Sequence, residues 1–369
     1  MGALLSFQKA VEQASQDRIP HLLLGNGFSR AYRDDIFSYG SLFENADLSP
    51  RMLVLFLKRL KRPILKKSCE SYGMPSEIVK LYGDNIAQIS KAMLNDAKKL
   101  REILVKTIVG HHPERPSDVS REAYEACRKF LQYFKNIYTL NYDLLLYWTI
   151  MHDESGIELD CDDGFRTPEG GEEDYVSWEI ENTDQQNLYY FHGALHIFDA
   201  DTEIKKFTWI NTVIPLITQH GYPVDYSDPL IAGWNISDKN SSQPDTHVTQ
   251  IHDALNRGMF PLKVTEGTSR HKKRRILHSS FLSRAERSFA SIRGNLFLYG
   301  FAMSENDDHI LKLLRKGKMF GLYVGLYGNP KSSHNKHIVN TVKQLQILRP
   351  EGRPLSIHFY DAESAHVWR

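Results

Sequence analysis

The sequence predicts an α/β fold built on a mostly parallel sheet. About seven short apolar runs alternate with segments whose apolar residues recur at helical spacing. Most of these runs are apolar throughout, as expected for strands buried on both faces of a parallel sheet. Glycines and polar residues follow directly after the runs, at the edge where an open α/β sheet binds ligands. Together these observations indicate a Rossmann-like sheet with helices on both faces and a helical insertion after the first strand.

Composition narrows the functional classes. The chain has 369 residues, 41% hydrophobic and 11% aromatic, which is enough for one large α/β domain over residues 1–369. The 46 basic and 45 acidic residues leave a net charge of +1, so we expect no direct contact with nucleic acid or with an anionic membrane. The three cysteines form no Cys-x-x-Cys pair, which argues against a zinc ribbon and fits a cytoplasmic protein. The sequence shows no signal-peptide pattern and no run of about eighteen apolar residues, so we expect no membrane span.

The first elements are a helix over residues 7–17 and a strand at His21–Leu24. A turn follows that consists of Gly25, Asn26, Gly27, Phe28 and Ser29. Glycines in such a turn let the backbone approach a phosphate group closely, so the turn suggests a nucleotide site. A plain strand-to-helix turn is the alternative. Because Arg30 stands where a dinucleotide fingerprint has its third glycine, an ordinary dehydrogenase is not expected.

The segment from about 50 to 135 is predicted to be a mostly helical insertion. It is interrupted at 111–116, where two prolines end a helix, and Ser120 is a suitable cap for the next helix. His111 and His112 lack partners at metal-ligand spacing, so we expect no metal here. The insertion could serve as a lid or as an assembly surface.

A second motif follows the strand predicted over residues 136–140. It reads Thr-Leu-Asn-Tyr-Asp over residues 139–143, and a helix is predicted from 144 to 150. The Asn141 amide can both donate and accept hydrogen bonds, so it could hold a ribose hydroxyl or position a water molecule. Asp143 could fix the orientation of its neighbours. Alternatively, either residue simply caps the following helix.

A third motif follows the strand predicted over residues 188–191, where His192 precedes Gly193. A histidine at a strand end can act as a general base near neutral pH. The chain contains 16 histidines, and the alternative is an ordinary core or surface residue. His196 lies close by in the sequence and could compete for the same role.

Four further strands are predicted over residues 260–265, 295–299, 321–326 and 355–360. After the strand at 295–299, a motif at residues 298–304 and 307–310 contains a glycine, a hydroxyl group and acids. Such a turn would suit an adenosine ribose; a turn with a helix cap is the alternative. Acidic residues 160–184 and polar residues 236–245 are predicted surface loops. The basic run at 272–275 reads as a solvated helix face rather than a nucleic-acid patch.

In this order, the motifs resemble those of the sirtuin (silent information regulator) superfamily. Sirtuins have a Gly-Ala-Gly-x-Ser turn after the first strand, a Thr-Gln-Asn-x-Asp motif and a His-Gly motif that holds the catalytic histidine. Residues 25–29, 139–143 and 192–193 are similar to these three motifs. A later sirtuin turn that contacts NAD is similar to residues 300–304, and a strand that ends in Phe-Gly-Glu is similar to residues 264–267.

The resemblance implies roles for individual residues. Asn141 would hold the ribose hydroxyls or the attacking water, His192 would be the general base, and Asp143 would orient its neighbours. The residues that would bind NAD are Gly25, Asn26, Gly27, Phe28, Ser29, Glu266, Gly300, Phe301, Ser304 and Asp308.

Two departures from the sirtuin pattern matter. The zinc module with two Cys-x-x-Cys pairs is missing, and a helical insertion separates the first two motifs. The chain is therefore more similar to the zinc-less bacterial sirtuin-like proteins, which cleave NAD as effectors of anti-phage defence. The resemblance implies a homo-oligomer and a second defence protein, such as a HerA-like ATPase or a short Argonaute, as a possible partner.

The function expected on this basis is hydrolysis of NAD at the nicotinamide–ribose bond, with NAD as substrate and without a metal. One alternative is a module of a defence complex that binds NAD or ADP-ribose without cleaving it. Another is an NAD-dependent protein deacylase, which the missing zinc module disfavours, and a third is a structural subunit. Hydrolysis and cyclisation begin with the same bond cleavage, so the sequence leaves both open.

Overall fold

The computed structural model describes residues 4–16, 18–37, 112–113, 116–152, 156–166, 175–200, 203–207, 260–264 and 268–369. The predicted insertion lies outside the described residues except near its C-terminal end, and so do the loop predicted at 236–245 and Glu266. The described strands are β1 (His21–Leu24), β2 (Ile137–Thr139), β3 (Tyr175–Ser177), β4 (Leu188–Tyr190), β5 (Gly193–Ala200), β6 (Glu203–Phe207), β7 (Phe260–Lys263), β8 (Asn295–Tyr299), β9 (Gly321–Leu326) and β10 (Ser356–Asp361). The described helices are α1 (Phe7–Ala14), α2 (Gly27–Tyr32), α3 (Asp34–Phe37), α4 (Arg121–Leu131), α5 (Leu145–Met151), α6 (Ser269–His278), α7 (Ser280–Ser291), α8 (Asp308–Lys316) and α9 (Ser333–Ile347).

The central sheet contains six strands in the order β10-β9-β8-β1-β2-β4, and every neighbouring pair is parallel. When these six strands are numbered along the chain, the order from β4 to β10 is 3-2-1-4-5-6. This is the strand order of dinucleotide-binding folds, in which the direction of sheet growth reverses between the first and fourth strands. The reversal here falls between β1 and β8. The prediction of a Rossmann-like, mostly parallel sheet is therefore confirmed.

Helices cover both faces of this sheet. On one face the Phe7 ring of α1 lies 6.1 Å from Phe297, and the Phe130 ring of α4 lies 5.2 Å from Tyr299. On the other face Phe289 of α7 lies 5.1 Å from Tyr138. The strand register requires this division, because Leu22 pairs with both Phe297 and Ile137, which places Tyr138 on the opposite face.

The middle of the chain forms a second sheet, so the prediction that all strands belong to one mostly parallel sheet is wrong there. Its order is β3-β6-β5-β7, and all of its pairings are antiparallel. The run at 260–265 was expected to join the parallel sheet, but β7 pairs with β5 instead. Strand β3 and a short 3₁₀ turn at Ile180–Asn182 lie within the predicted loop 160–184. An apolar run looks the same in both kinds of sheet, so the sequence pattern did not separate them.

Several element boundaries follow local capping. Helix α1 begins after Ser6, whose hydroxyl accepts the Lys9 N–H at 3.4 Å, and it ends at Ala14 rather than at residue 17. Ser120 caps α4 as predicted, since its hydroxyl accepts the Ala123 N–H at 3.2 Å. Among the described residues, no helix is long and apolar enough to cross a membrane.

Candidate functional site

Four turns meet at the carboxyl edge of the central sheet. We name them the Gly turn (residues 25–29, after β1), the Asn turn (139–143, after β2), the His turn (191–195, after β4) and the β8 turn (300–309). Parallel strands all end at this edge, so the fold brings together residues that are more than a hundred positions apart. Each turn is hydrogen-bonded to two of the others, and together the four turns form a closed ring.

The Gly turn packs directly against the β8 turn. The N–H groups of Gly25 and Gly27 donate to the carbonyl oxygens of Tyr299 and Gly300, both at 2.9 Å. A methyl group on Gly25 would lie 2.5 Å from the Gly300 oxygen, and one on Gly27 would lie 2.5 Å from the Gly300 Cα. The close approach of the two backbones therefore requires the glycines. Since these N–H groups are used inside the protein, a phosphate contact from this turn would have to come from its other groups.

A hydrogen-bonded chain of three side chains links the Gly turn to the Asn turn. The Asn141 amide nitrogen donates to the Ser29 hydroxyl at 2.9 Å, and that hydroxyl donates to Asp143 Oδ2 at 2.5 Å. All three side chains are buried. Because an ionised Asp143 can only accept, the Ser29 proton points to the carboxylate, and the oxygen of Ser29 must accept from Asn141.

The direction of these two hydrogen bonds fixes the orientation of the Asn141 amide. Its nitrogen faces Ser29, so its Oδ1 atom faces away from the network, and Oδ1 has no hydrogen-bond partner among the described residues. The Asn141 N–H donates to the Thr139 hydroxyl at 3.0 Å, which holds the backbone of the turn. The Oδ1 acceptor of Asn141 is therefore the group on this turn that can accept a hydrogen bond from a hydroxyl group or from water.

Asp143 serves two purposes that the sequence presented as alternatives. Its Oδ2 accepts from Ser29, while its Oδ1 accepts the Leu145 N–H at 3.0 Å at the start of α5. Burial raises the pKa of Asp143 to about 6, and the hydrogen bonds from Ser29 and Leu145 oppose this rise. Asp143 therefore both orients its neighbours and caps the helix.

His112 also supports the Asn turn, a role that the sequence did not reveal. Its Nε2 accepts the Leu144 N–H at 3.1 Å, and its Nδ1 lies 3.0 Å from the Pro113 carbonyl oxygen. This geometry requires the neutral form with the proton on Nδ1. Burial lowers the pKa of His112 to about 4. No local sequence pattern predicts this contact, because His112 and Leu144 are 32 residues apart in the chain.

The His turn is held against the Asn turn by its backbone. The Phe191 and Leu195 N–H groups donate to the Thr139 and Tyr142 carbonyl oxygens, both at 2.9 Å. Gly193 has a φ of +80°, and a methyl group there would lie 1.9 Å from the Leu262 oxygen, so only glycine fits after His192.

His192 itself reaches the β8 turn and closes the ring. Its Nε2 lies 3.0 Å from Nε2 of His309, the second residue of α8, and the two ring planes are inclined by 26°. Both side chains are buried. The competing residue His196 is directed elsewhere, since its ring stacks on Tyr147 at 4.1 Å and meets the edge of Tyr190.

Other residues of the β8 turn form an ion-paired cluster. The Ser304 hydroxyl donates to Asp307 Oδ2, and the Lys272 ammonium donates to Asp307 Oδ1, both at 2.7 Å. Asp308 instead pairs with Lys312 on the surface of α8, and Phe301 is buried in the core. Asp307 is therefore the acid that the structure connects to Ser304.

Two residues of the Gly turn face the protein. Phe28 is buried 5.0 Å from the Trp368 ring, and the Trp368 indole N–H donates to the Phe28 carbonyl oxygen at 2.8 Å. The Asn26 amide donates to the Phe37 carbonyl oxygen at 3.1 Å. These contacts anchor the turn on the side of Asn26 and Phe28, while Ser29 faces the Asn turn.

The basic run on α6 is paired with acids. Lys272 contacts Asp307, Lys273 contacts Glu286, and Arg275 lies 3.9 Å from Asp199. Lys272 is buried, so the prediction of a wholly solvated face is wrong at that position. Among the described residues, no group of three or more His, Cys, Asp or Glu side chains is arranged to hold a metal ion.

Comparison with protein families gives one match. A family model described as a domain of unknown function, DUF4917, matches residues 22–221 and 236–368. The match includes all four turns of the ring. A search of curated proteins found no match to this chain.

Proposed function

This chain belongs to the DUF4917 family, and we propose that it cleaves NAD at the bond between nicotinamide and ribose, releasing nicotinamide and ADP-ribose. The observation that carries the proposal is the closed ring of four turns at the point where the strand order reverses. Ligands of open α/β sheets bind in the crevice beside such a point. The ring brings an amide acceptor, a carboxylate and an imidazole to this edge.

The reaction develops positive charge on the ribose as the bond to nicotinamide breaks, and the bond electrons leave with the nicotinamide nitrogen. Water then adds to the ribose carbon, and His192 accepts the proton that the water loses. Asn141 Oδ1 accepts a hydrogen bond from a ribose hydroxyl or from the water, because its amide nitrogen is held by Ser29. Only the Ser29 hydroxyl separates Asp143 from Asn141, and the negative charge of Asp143 would stabilise the positive charge that develops on the ribose.

We assign the remaining parts of NAD to the neighbouring turns. The Gly turn and Gly300 would lie under the pyrophosphate, and their glycines would hold the two turns together beneath it, because each fills the space where the other's side chain would be. Ser304 would lie near the adenosine, with Asp307 fixing its hydroxyl. By the same resemblance that suggests NAD, we propose that the reaction serves anti-phage defence by depleting NAD.

The test compares NAD loss and nicotinamide release by the purified full chain and by variants. His192→Ala is expected to lower the turnover number by about 10²–10⁴-fold, the range for loss of a positioned general base. Asn141→Ala is expected to lower it by about 10²–10³-fold, the range for loss of one positioned hydrogen-bonding group. Asn340→Ala and His334→Ala are matched controls, because both residues are exposed on α9. Asn141→Asp and His192→Gln serve as near-isosteric variants if an alanine variant unfolds.

The outcomes separate cleavage from other uses of the site. Turnover that persists at the wild-type rate in both site variants would reject the assigned residues. A wild-type chain whose melting temperature rises with NAD while no nicotinamide appears would favour the alternative, a module that binds NAD without cleaving it. That alternative has one observation in its favour, since His192 Nε2 is already engaged by His309.

A further inference from the structure

His309 is the contact partner of His192, and it was assigned no role from the sequence although it lies in the motif that follows β8. The two Nε2 atoms face each other at 3.0 Å, which is a hydrogen-bond distance. Only one proton can lie between two facing nitrogen atoms, so one ring donates through Nε2 and the other accepts through Nε2. The geometry therefore ties the protonation pattern of one ring to that of the other.

The surroundings of His309 keep its ring neutral. Its side chain is 4% exposed. Burial lowers the pKa of His309 to about 4, and the charges of Lys272 and Lys273 on α6 act in the same direction. Asp307 and Asp308 oppose them, but each is paired with a lysine. A neutral imidazole carries its single proton on either Nδ1 or Nε2.

The position of that proton follows from the other side of the ring. His309 Nδ1 is buried and has no hydrogen-bond partner in the part of the chain that the structure describes. An unpaired N–H group is rarer inside proteins than an unpaired acceptor. The proton of His309 is therefore on Nε2, and the contact runs from His309 Nε2–H to the lone pair of His192 Nε2.

We infer that His309 is a positioning residue that holds His192 in the form protonated on Nδ1, so that the Nε2 atom of His192 keeps its lone pair on the side of the β8 turn. The importance of this for catalysis rests on the proposed function, because it is the Nε2 lone pair that would accept the proton of the water. A substrate or water O–H group would replace the His309 N–H as the donor to that lone pair. His309 thus selects the base-competent form of His192 before the substrate arrives.

The direct test is the tautomeric state of His192, which does not depend on turnover. The full chain is labelled with ¹⁵N-histidine, and two-bond ¹H–¹⁵N spectra are recorded at pH 7. His192→Gln and His309→Gln spectra identify the two residues among the 16 histidines. We expect the Nδ1–H form for His192 and the Nε2–H form for His309. In His309→Phe, which keeps a ring but no donor, we expect the His192 signals to move toward the Nε2–H form.

Kinetics supply the second readout. His309→Phe is expected to lower the turnover number for NAD by about ten- to a hundredfold, by analogy with the partners that orient metal-bound histidines. The KM should change little, and His309→Gln should recover part of the rate because its amide can donate in place of Nε2–H. His334→Phe is the control on an exposed histidine.

The inference and the proposed function fail separately. An Nε2–H form of His192 in the wild type, or the same His192 signals in wild type and His309→Phe, would overturn the inference whatever the enzyme assay gives. If the tautomers are as expected but no nicotinamide is released, the positioning by His309 stands and the proposed NAD cleavage is what fails. If His309→Phe unfolds, His309→Leu, which also lacks a donor, replaces it, and the wild-type tautomers of His192 and His309 decide the question in either case.

Discussion

At the scale of single residues, Ser29 is the centre of the proposed site. Its hydroxyl accepts from Asn141 and donates to Asp143, and all three side chains are buried. Ser29→Ala leaves one donor and one acceptor without these partners. We expect a loss of about 1–3 kcal/mol in the free energy of unfolding, the cost of unsatisfied buried polar groups. Denaturant titration measures it, with the exposed Ser291→Ala as control. Equal stability of the two variants would contradict the network.

The side chains of the proposed site could be predicted from the sequence, but their contacts could not. Asn141, Asp143 and His192 were predicted from their positions after strands, and the structure brings all three to the same edge. His309, the partner of His192, and His112, which supports the Asn turn through the Leu144 N–H, were assigned no such role from the sequence. The contact between His192 and His309 spans 117 residues, and only the fold of the chain creates it. No local pattern carries such information.

At the scale of elements, β6 is attached to the segment before β3 by a buried ion pair. Lys206 Nζ lies 2.5 Å from Asp163 Oδ2, with side chains 1% and 0% exposed. Lys206→Met leaves Asp163 as a buried, unpaired charge, so we expect about 3–5 kcal/mol of destabilisation. The double variant Asp163→Leu/Lys206→Met should recover much of this loss. Lys205→Met, whose partner Glu203 is half exposed, should cost less than about 1 kcal/mol.

The same ion pair explains why the second sheet escaped prediction. Strand β6 contains Lys205 and Lys206, so it lacks the apolar run from which the other strands were predicted. Lys206 is buried only because Asp163 neutralises it from a segment about forty residues earlier. By contrast, the runs at His21–Leu24, Asn295–Tyr299 and Gly321–Leu326 were predicted with the bounds that the structure has. A continuous apolar run by itself predicts a strand that is buried on both faces of a parallel sheet.

At the scale of the whole molecule, buried titratable groups set the dependence of stability on pH. Burial lowers the pKa of His21, His112 and His309 from 6.5 to about 4, and raises the pKa of Asp143 from 3.8 to about 6. Between pH 4 and 6 the unfolded chain therefore binds three more protons at the histidines and one fewer at the aspartate. Stability then rises with pH, on the order of 3 kcal/mol per pH unit from these four groups.

Denaturant titrations at pH 4.5, 5.5 and 6.5 measure this slope. His112→Gln retains an acceptor for the Leu144 N–H but has no group that gains a proton on unfolding. The slope of its unfolding free energy against pH should therefore correspond to about one bound proton fewer than in the wild type. A free energy of unfolding that is constant or falls over this range would show that the histidines are not buried in their neutral forms.

The proposed activity is tested most directly by the products formed from NAD in water enriched in ¹⁸O. We expect the full chain to release nicotinamide together with an equal amount of ADP-ribose, and we expect the ADP-ribose to carry one ¹⁸O atom from the attacking water. Asn141→Ala and His192→Ala should form neither product at a comparable rate. Nicotinamide release that is as fast in both variants as in the wild type would contradict the site, and intact NAD with the wild type would contradict the activity.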